Sequence, residues 1–408
     1  MSVIAQADCI KLPFPSTYFH AIITSPPYLG LRKYEGDQVK TWRSGGYQPM
    51  TGADHIKVDE WVGPLGGEPS VELYVFHLIL VCREIRRVLR DDGVFWLVLS
   101  DSYNGSGGAG GDYRTGGLRE GQPTYPGRSF SQLQSGDLIG VPQRVWLALQ
   151  ADGWIMRNEV IWSKKPLPEP RKGWRYDKPP CNCVKDRREE MIAEQMHDQG
   201  TPRHRTYSKP GDIRPDPDCP TCGGIGYAGN LRLYQWSWRH TRSHESILMF
   251  SKNMGYYSNH MAVAEGLKNT NPRDVQEFQR DNYSGKHFAV YPPALVAHLL
   301  KVSVPRYCCS ICSKPWSPVI KRVEYGTQYL HLYRSSCEHG DDKKAPGRVL
   351  DPFLGSGTTG KVASEHGKQF AGTDVSFKYL TEQAMWRALR QVPPSQQDVS
   401  DLPLFSEG

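Results

Sequence analysis

Residues 348–359 read Arg-Val-Leu-Asp-Pro-Phe-Leu-Gly-Ser-Gly-Thr-Thr, and this stretch decides the fold. The apolar residues that lead to Asp351 predict a short buried strand, while Gly355 and Gly357 predict a tight turn whose backbone favours glycine. A helix is expected to follow over about 358–366. A strand that enters a glycine turn and then a helix lets the backbone approach a nucleotide-like cofactor closely in an α/β sheet.

The same glycine-rich segment nearly matches a phosphate-binding P-loop, because residues 355–361 read Gly-Ser-Gly-Thr-Thr-Gly-Lys. A P-loop needs Ser or Thr after the lysine to hold magnesium, and this chain has Val362 there. The nucleotide triphosphatase interpretation therefore fails at the metal ligand.

A second motif lies more than three hundred residues earlier, where residues 24–28 read Thr-Ser-Pro-Pro-Tyr. Taken alone, such a segment is more often a turn or a proline-rich surface stretch. The apolar run before it, 20–24, predicts a buried strand, which places the motif at the carboxyl end of that strand. Open α/β sheets bind their ligands at this edge, so the position favours a functional interpretation.

With both motifs in this order, the chain resembles the amino-methylating DNA methyltransferases of the circularly permuted β group, in which the catalytic motif precedes the cofactor motif. The resemblance covers residues 1–34, 90–165, 236–303 and 346–390. It implies an α/β fold: a seven-stranded, Rossmann-like, S-adenosylmethionine-dependent methyltransferase sheet that is circularly permuted. The segments between these ranges would be small insertions.

The resemblance implies a role for each residue of the catalytic motif. The lone pair of an exocyclic amine is delocalised into the base, and hydrogen-bond acceptors on its N–H groups localise that pair. The acceptors would be the Ser25 side chain and the Pro26 carbonyl, with Pro26 and Pro27 stiffening the loop in advance. Tyr28 would stack on a base flipped out of the duplex. The amine would then attack the sulfonium methyl directly.

The resemblance also implies the residues around S-adenosylmethionine. Asp374 would bind the ribose hydroxyls, Asp8 would face the adenine, and His287 belongs to a segment that closes over the methionine end. That segment ends in Tyr291-Pro292, where the family commonly has Lys before the Pro. The implied cofactor-binding residues are Asp8, His287, Asp351, Pro352, Phe353, Gly355, Ser356, Gly357, Thr358 and Asp374.

Seven strands and four helices can be placed along the chain by their apolar patterns. The strands are expected at 3–8, 20–24, 94–99, 155–162, 246–251, 348–351 and 369–374. The helices are expected at 70–90, 141–150, 358–366 and 377–390. A sheet that needs both ends of the chain is what a circular permutation predicts.

Two groups of cysteines have the spacing of tetrahedral structural zinc sites. Disulfides are the alternative, but a chain without a secretory signal is expected to keep its thiols reduced. In the second group Cys308 could replace His339, while Cys9 and Cys82 are expected in the core. The candidate ligands are Cys181, Cys183, Cys219 and Cys222 in the first group, and Cys309, Cys312, Cys337 and His339 in the second.

The composition fits a large catalytic domain with long loops. The chain has 408 residues, of which 38% are hydrophobic and 23% charged, together with 40 Gly and 31 Pro. It contains no run of eighteen apolar residues and no basic flank followed by an apolar stretch at the N-terminus. A cytoplasmic protein without membrane contact is therefore expected.

The net charge of +7 is unevenly distributed. Residues 164–214 contain 13 Lys and Arg against 8 Asp and Glu, an excess of five positive charges, with aromatic residues among them. Such a segment suits the phosphate backbone of double-stranded DNA, although a solvated linker fits equally well. The glycine-rich stretch 101–136 is either a loop that closes on DNA or a plain linker.

These observations predict six ranges. They are a catalytic half of the methyltransferase domain at 1–165, a basic zinc-binding insert at 166–235 that is a candidate DNA contact, a continuation with a candidate target-recognition segment at 236–303, a second zinc-binding insert at 304–345, a cofactor-binding half at 346–392 and a polar tail at 393–408.

The predicted function is methylation of an exocyclic amine in DNA. Ser25 favours cytosine N4, because many adenine-N6 members of the family carry Asp at this position, and adenine N6 is the alternative. Methylation of RNA or protein and a non-catalytic, zinc-dependent DNA-binding protein are the other hypotheses. A cognate restriction endonuclease would be a further partner.

Overall fold

A computed structural model describes residues 2–30, 38–105, 129–164, 172–176, 218–220, 231–235, 239–263, 271–278, 291–323 and 326–389. The chain divides into two compact units, residues 1–164 with 244–408, and residues 165–243. Most of the second unit lies outside the described residues, so the domain boundaries inferred from the sequence remain predictions.

The first unit is built on an eight-stranded sheet. Its strands are β1 (Val3–Gln6), β2 (Phe19–Thr24), β3 (Leu89–Leu99), β4 (Ile155–Ser163), β5 (His244–Ser251), β6 (Val275–Glu277), β7 (Arg348–Asp351) and β8 (Gln369–Asp374). Their order is β1-β8-β7-β2-β3-β5-β4-β6. Only β5 runs antiparallel to its neighbours, β3 and β4.

The position of β1 confirms the circular permutation. β1, the first strand of the chain, pairs in parallel with β8, the last. All seven predicted strands are present in this Rossmann-like sheet, and β6 is a short addition that pairs with β4 at the edge. The pairing of β1 ends at Gln6 with Asp374, so Asp8 lies two residues beyond the strand and not at its end. There Asp8 accepts hydrogen bonds from Ile10 N and Lys11 N, which turn the chain.

Helices cover both faces of the sheet. They are α1 (Val71–Val88), α2 (Val141–Ala151), α3 (Pro293–Ser303) and α4 (Thr358–Glu365). The predicted helix at 377–390 is present over 377–389, but it is not α-helical throughout: a short α-helical turn at Phe377–Tyr379 leads into a π-helical segment at Leu380–Ala384 and a last α-helix at Met385–Leu389. None of the helices in the described ranges has the length and apolarity needed to span a bilayer.

The alternation of β3 divides the core into two layers. Phe95, Leu97 and Leu99 pack with α1 and α2, whereas Trp96 and Val98 on the other face pack with α3 and α4. Cys9 and Cys82 are buried in the first layer, as predicted.

Both units also contain short antiparallel pairs of strands outside the eight-stranded sheet. In the first unit they are Lys40–Trp42 with Trp61–Gly63, Gly45–Tyr47 with Ile56–Val58, Tyr307–Cys309 with Lys344–Pro346, and Ser317–Val323 with Gly326–Arg334, and a 3-10 turn spans His260–Ala262. In the second unit Lys172–Tyr176 pairs with Leu231–Gln235.

His20 links the central sheet to the segment that carries the second cysteine group. Its Nδ1 accepts from Arg348 N at 3.1 Å, so the ring hydrogen lies on Nε2, which donates to Ser313 O at 2.9 Å. The Arg348 guanidinium also donates to the Ser313 hydroxyl. Burial lowers the pKa of His20 from 6.5 to about 3.

The neutral His20 predicts acid sensitivity. Below pH 6.5 an unfolded chain protonates this imidazole, while the folded protein resists protonation down to about pH 3. The free energy of unfolding should therefore decrease as the pH is lowered. This residue alone should make it about 2 kcal/mol smaller at pH 5 than at pH 8. Urea unfolding at pH 8 and pH 5 should show a smaller difference for His20→Gln than for the wild type. An equal difference in both proteins would contradict the assignment.

Candidate active site

The catalytic motif begins where β2 ends, at the carboxyl edge of the sheet. Pro26 is buried, and the loop is supported from α1, where Tyr74 Oη donates to Pro27 O at 2.8 Å. Gly66, with φ +84°, lies against the same loop, and a Cβ there would be 2.9 Å from Tyr28 O. Gly30 N donates to Gly66 O at 2.9 Å. Two separate parts of the chain, α1 and the segment at Gly66, therefore hold the loop in place.

A row of polar contacts runs from Ser25 through Tyr28 to Glu245 and Lys164. Ser25 Oγ donates to Tyr28 Oη at 2.9 Å, and Tyr28 Oη donates to Glu245 Oε2 at 3.1 Å. Glu245 Oε1 forms an ion pair with Lys164 Nζ, which also lies 4.2 Å from the centre of the Trp162 ring. Burial, and then the charge of Glu245, raise the pKa of Tyr28 well above its ordinary value.

Asp351 is a buried junction between the two motifs. Its Oδ1 accepts from Thr24 Oγ1 at 2.6 Å and from Phe353 N at 3.1 Å. Its Oδ2 accepts from Thr359 Oγ1 at 2.6 Å and from Tyr291 Oη at 2.8 Å. Burial raises the pKa of this carboxyl, against the effect of these hydrogen bonds. One side chain therefore joins the catalytic strand, the glycine turn, α4 and the entry to α3.

The glycine turn is shaped by contacts that leave little room for side chains. Gly355 and Gly357 have φ of +50° and +79°. Gly355 N donates to Asp374 Oδ2 at 2.9 Å. A Cβ on Gly357 would lie 3.0 Å from the backbone of Ala384, so the π-helical segment packs directly on the turn. The turn matches a cradle for a cofactor approached by backbone groups.

The other predicted cofactor residues lie around this turn. Pro352 and Thr358 are buried, and Phe353 is half-buried. Ser356 is buried and its Oγ accepts from Arg387 Nη1 at 3.1 Å. Asp8 forms an ion pair with Lys40, whose ammonium lies 3.8 Å from the centre of the Trp42 ring. Asp351 and Asp374 are the last residues of β7 and β8, and Asp8 follows the adjacent parallel strand β1, so the three acids share one edge of the sheet. His287 lies outside the described residues.

The second cysteine group comes together as predicted. Its four ligand atoms lie within 4.8 Å of one another in Cys309, Cys312, Cys337 and His339. Cys309 Sγ is 3.6 Å from His339 Nδ1. Zn–S bonds of about 2.3 Å in a tetrahedron require separations of this order, so the set fits zinc. A hydrogen bond from Ser335 and contacts with His339 lower the pKa of the Cys337 thiol to about 6.

Cys308 is not part of this group. Its thiol donates to Pro346 O at 3.4 Å, whereas His339 lies with the other three ligand atoms, which favours His339 over Cys308 as the fourth ligand. In the first group only Cys219 is described, and it is buried. Cys181, Cys183 and Cys222 lie outside the described residues.

Sequence reasoning missed the side chains that support the motifs. Glu245 lies in the range 236–303 that carries the resemblance, but no role was predicted for it, and Lys164 entered only the charge count of residues 164–214. Tyr291 was noted as a departure from lysine, without its contact to Asp351. An acid or base placed next to a motif only by folding leaves no local signal in the sequence.

The sheet order, the permutation and the two adjacent motifs define the class as S-adenosylmethionine-dependent, amino-methylating DNA methyltransferases. The family model for N6/N4 methyltransferases, described as DNA methylase, matches residues 19–385. The chain belongs to this family.

Curated relatives match along most of the chain. The Type II methyltransferase M.SmaI of Serratia marcescens is 26% identical over 378 residues, 90% of this chain and 83% of the relative. M.XycI of Xanthomonas campestris pv. cyanopsidis is 26% identical over 390 residues, 93% of this chain and 85% of the relative. A solved structure of PvuII DNA methyltransferase (cytosine-N4-specific) is 13% identical with a TM-score of 0.46, covering 97% of this chain and 89% of that one.

Proposed function

We propose that this DNA methyltransferase is site-specific and transfers a methyl group from S-adenosylmethionine to the N4 amine of cytosine in duplex DNA after base flipping. The observation that carries the choice of cytosine is Ser25, a neutral acceptor at the position where many adenine-N6 enzymes have Asp. Adenine N6 is the alternative outcome of the same chemistry.

The geometry supports a mechanism based on positioning. S-adenosylmethionine supplies an electrophilic methyl group when bound. The Ser25 hydroxyl and the Pro26 carbonyl accept from the target amine and localise its lone pair, in a loop that Pro27 and Tyr74 hold in place. The turn at 355–357 would offer backbone groups to the cofactor, Asp374 would bind its ribose hydroxyls and Asp8 would face its adenine.

Structural zinc is a second part of the proposal. Cys309, Cys312, Cys337 and His339 would hold one ion, and Cys181, Cys183, Cys219 and Cys222 a second. The basic insert would contact the phosphate backbone of the DNA. A cognate restriction endonuclease would cleave the same recognition site when it is unmethylated, so methylation by this protein would protect the cell's own DNA. The relatives' names as Type II methyltransferases support this last partner.

Mass spectrometry of nucleosides decides the target atom. Duplex DNA methylated by the purified protein should contain N4-methylcytosine, and Ser25→Ala should remove that product because the amine loses its acceptor. N6-methyladenine in its place would refute the base assignment and leave the class of enzyme standing.

A further inference from the structure

The hydrogen bonds that run from Ser25 to Glu245 can point in only one direction. The ionised Glu245 carboxylate has acceptors only, and Lys164 provides its counter-charge. Tyr28 must therefore donate its single hydrogen to Glu245, and the raised pKa of Tyr28 means that it keeps this hydrogen. Tyr28 Oη then has only lone pairs for Ser25, so Ser25 must be the donor of that contact.

This direction determines what Ser25 offers to a substrate. A serine hydroxyl has one hydrogen and two lone pairs. The hydrogen is committed to Tyr28, so only lone pairs remain on Ser25 Oγ. Without Tyr28 the hydroxyl could rotate and present its hydrogen to the amine nitrogen, which would tie up the lone pair that must attack.

We propose that Glu245 is a positioning residue that acts through Tyr28 to make Ser25 an obligatory acceptor for the target amine, and that it takes up the proton released by methylation. The inference rests on the proposed function, because it assumes that Ser25 faces an exocyclic amine. It assigns a role to Glu245 and Lys164, and it gives Tyr28 a hydroxyl-dependent role besides stacking.

The proton released by methylation can pass along the hydrogen bonds from Ser25 through Tyr28 to Glu245. As the amine nitrogen attacks the methyl carbon, the N–C bond forms and the C–S bond breaks with its electron pair left on sulfur. The nitrogen now carries one hydrogen too many and a positive charge. Its proton passes to Ser25 Oγ while the proton of Ser25 passes to Tyr28 Oη and that of Tyr28 passes to Glu245. Glu245 becomes neutral, and its side chain, 12% exposed, returns the proton to water afterwards.

The same arrangement explains how a serine can serve where related enzymes use a carboxylate. A neutral hydroxyl is a weaker acceptor than a charged group. Here the charge stands two hydrogen bonds away, on Glu245, and hydrogen bonds in a row polarise one another. Lys164 offsets the cost of keeping that carboxylate largely out of water.

Tyr28→Phe is the deciding variant, because it keeps the ring and removes one oxygen. The full-length protein in excess over amplified, unmethylated duplex DNA, at saturating S-adenosylmethionine, gives the rate of a single turnover. We expect Tyr28→Phe and Glu245→Gln each to slow this rate by about 10²-fold. Dissociation constants for S-adenosylmethionine and for the same DNA should change by less than about threefold, since Tyr28→Phe keeps the ring that stacks on the base and Glu245→Gln keeps the size of the side chain.

Two comparisons separate this role from a merely structural one. The double variant should be no slower than either single variant, because groups that act as one unit lose their effect together. Glu159→Gln is the matched control. Glu159 is a half-buried acid on β4 that accepts from Ser246 Oγ at 2.6 Å, and it is not part of the hydrogen bonds that join Ser25, Tyr28 and Glu245. It should transfer methyl groups at the wild-type rate.

A wild-type rate in Tyr28→Phe would overturn the inference and leave stacking as the only role of the ring. Losses that multiply in the double variant would also overturn it. The proposed function has a separate readout: a wild-type protein that methylates no amine in the DNA contradicts the function itself. An active wild type with an active Tyr28→Phe contradicts only the role of Glu245.

Discussion

Asp351→Ala is expected to abolish methyl transfer, with a loss on the order of 10³-fold or more, by disorganising the cofactor turn. The carboxylate accepts four hydrogen bonds inside the protein, from Thr24, Phe353, Thr359 and Tyr291. Alanine would leave three hydroxyls and a backbone N–H without their buried acceptor. The free energy of unfolding should fall by roughly 3 to 5 kcal/mol.

The binding measurements show where the loss arises. Calorimetry should find S-adenosylmethionine binding strongly weakened, because the turn at 355–357 is fixed through Asp351. DNA affinity and its salt dependence should remain, since those depend on phosphate contacts elsewhere. Equal weakening of cofactor and DNA binding would count against the assignment.

Asp101→Ala is the matched control for stability. Asp101 is also a buried acid after a sheet strand, and its carboxylate accepts from Ser102 N, Gly140 N and Val141 N at the start of α2. Its loss should destabilise the protein while the affinity for S-adenosylmethionine is retained. Asp351→Asn should be intermediate, because the amide keeps one acceptor oxygen for Thr24 and Phe353 N.

The position of the two motifs could be predicted because their strands are fully buried. All six residues of β2 and three of the four in β7 are buried, and such strands appear in the sequence as apolar runs. The turn can be predicted from its glycines as well, since positive φ favours glycine over other residues. Local patterns of this kind specify where a strand ends and therefore where a ligand edge lies.

The contacts that complete the site could not be predicted, because they join residues that are distant in the chain. Tyr28 and Glu245 are 217 residues apart, and Lys164 reaches Glu245 across 81. β6 was missed for a different reason: a three-residue edge strand whose first and last residues are exposed has no apolar pattern to detect. The π-helical segment was not predicted either, and its close contact with the glycine turn, where a Cβ on Gly357 would lie 3.0 Å from the backbone of Ala384, joins residues that are distant in the chain.

The choice between Cys308 and His339 shows the same limit. The spacing of the cysteines predicts a metal site but not which of two neighbouring thiols points into it. Tyr307–Cys309 is a strand, so Cys308 and Cys309 project to opposite faces. Only the register of that strand with Lys344–Pro346 turns Cys309 toward the other ligands and Cys308 toward Pro346.

Replacing Cys309 and Cys312 together by serine is expected to remove one zinc ion and unfold the segment that carries the site. Zinc bound by four protein ligands contributes about 10 kcal/mol or more to the folding of small sites. The segment contacts the sheet through Ser313, which binds both His20 and Arg348, so its unfolding should also disturb β2 and β7. Methyl transfer should therefore be lost together with the metal.

Elemental analysis of the purified full-length protein should find about two zinc ions in the wild type, one for each cysteine group, and about one in this variant. Cys308→Ser is the matched control, because Cys308 is the adjacent thiol and binds Pro346 O instead of the metal. It should keep the wild-type zinc content even if burial makes the serine mildly destabilising. A wild-type preparation that is free of zinc and fully active would contradict the assignment of structural zinc to these cysteine groups. Loss of zinc from Cys308→Ser to the same extent as from the double variant would instead show that the ligand set is wrong.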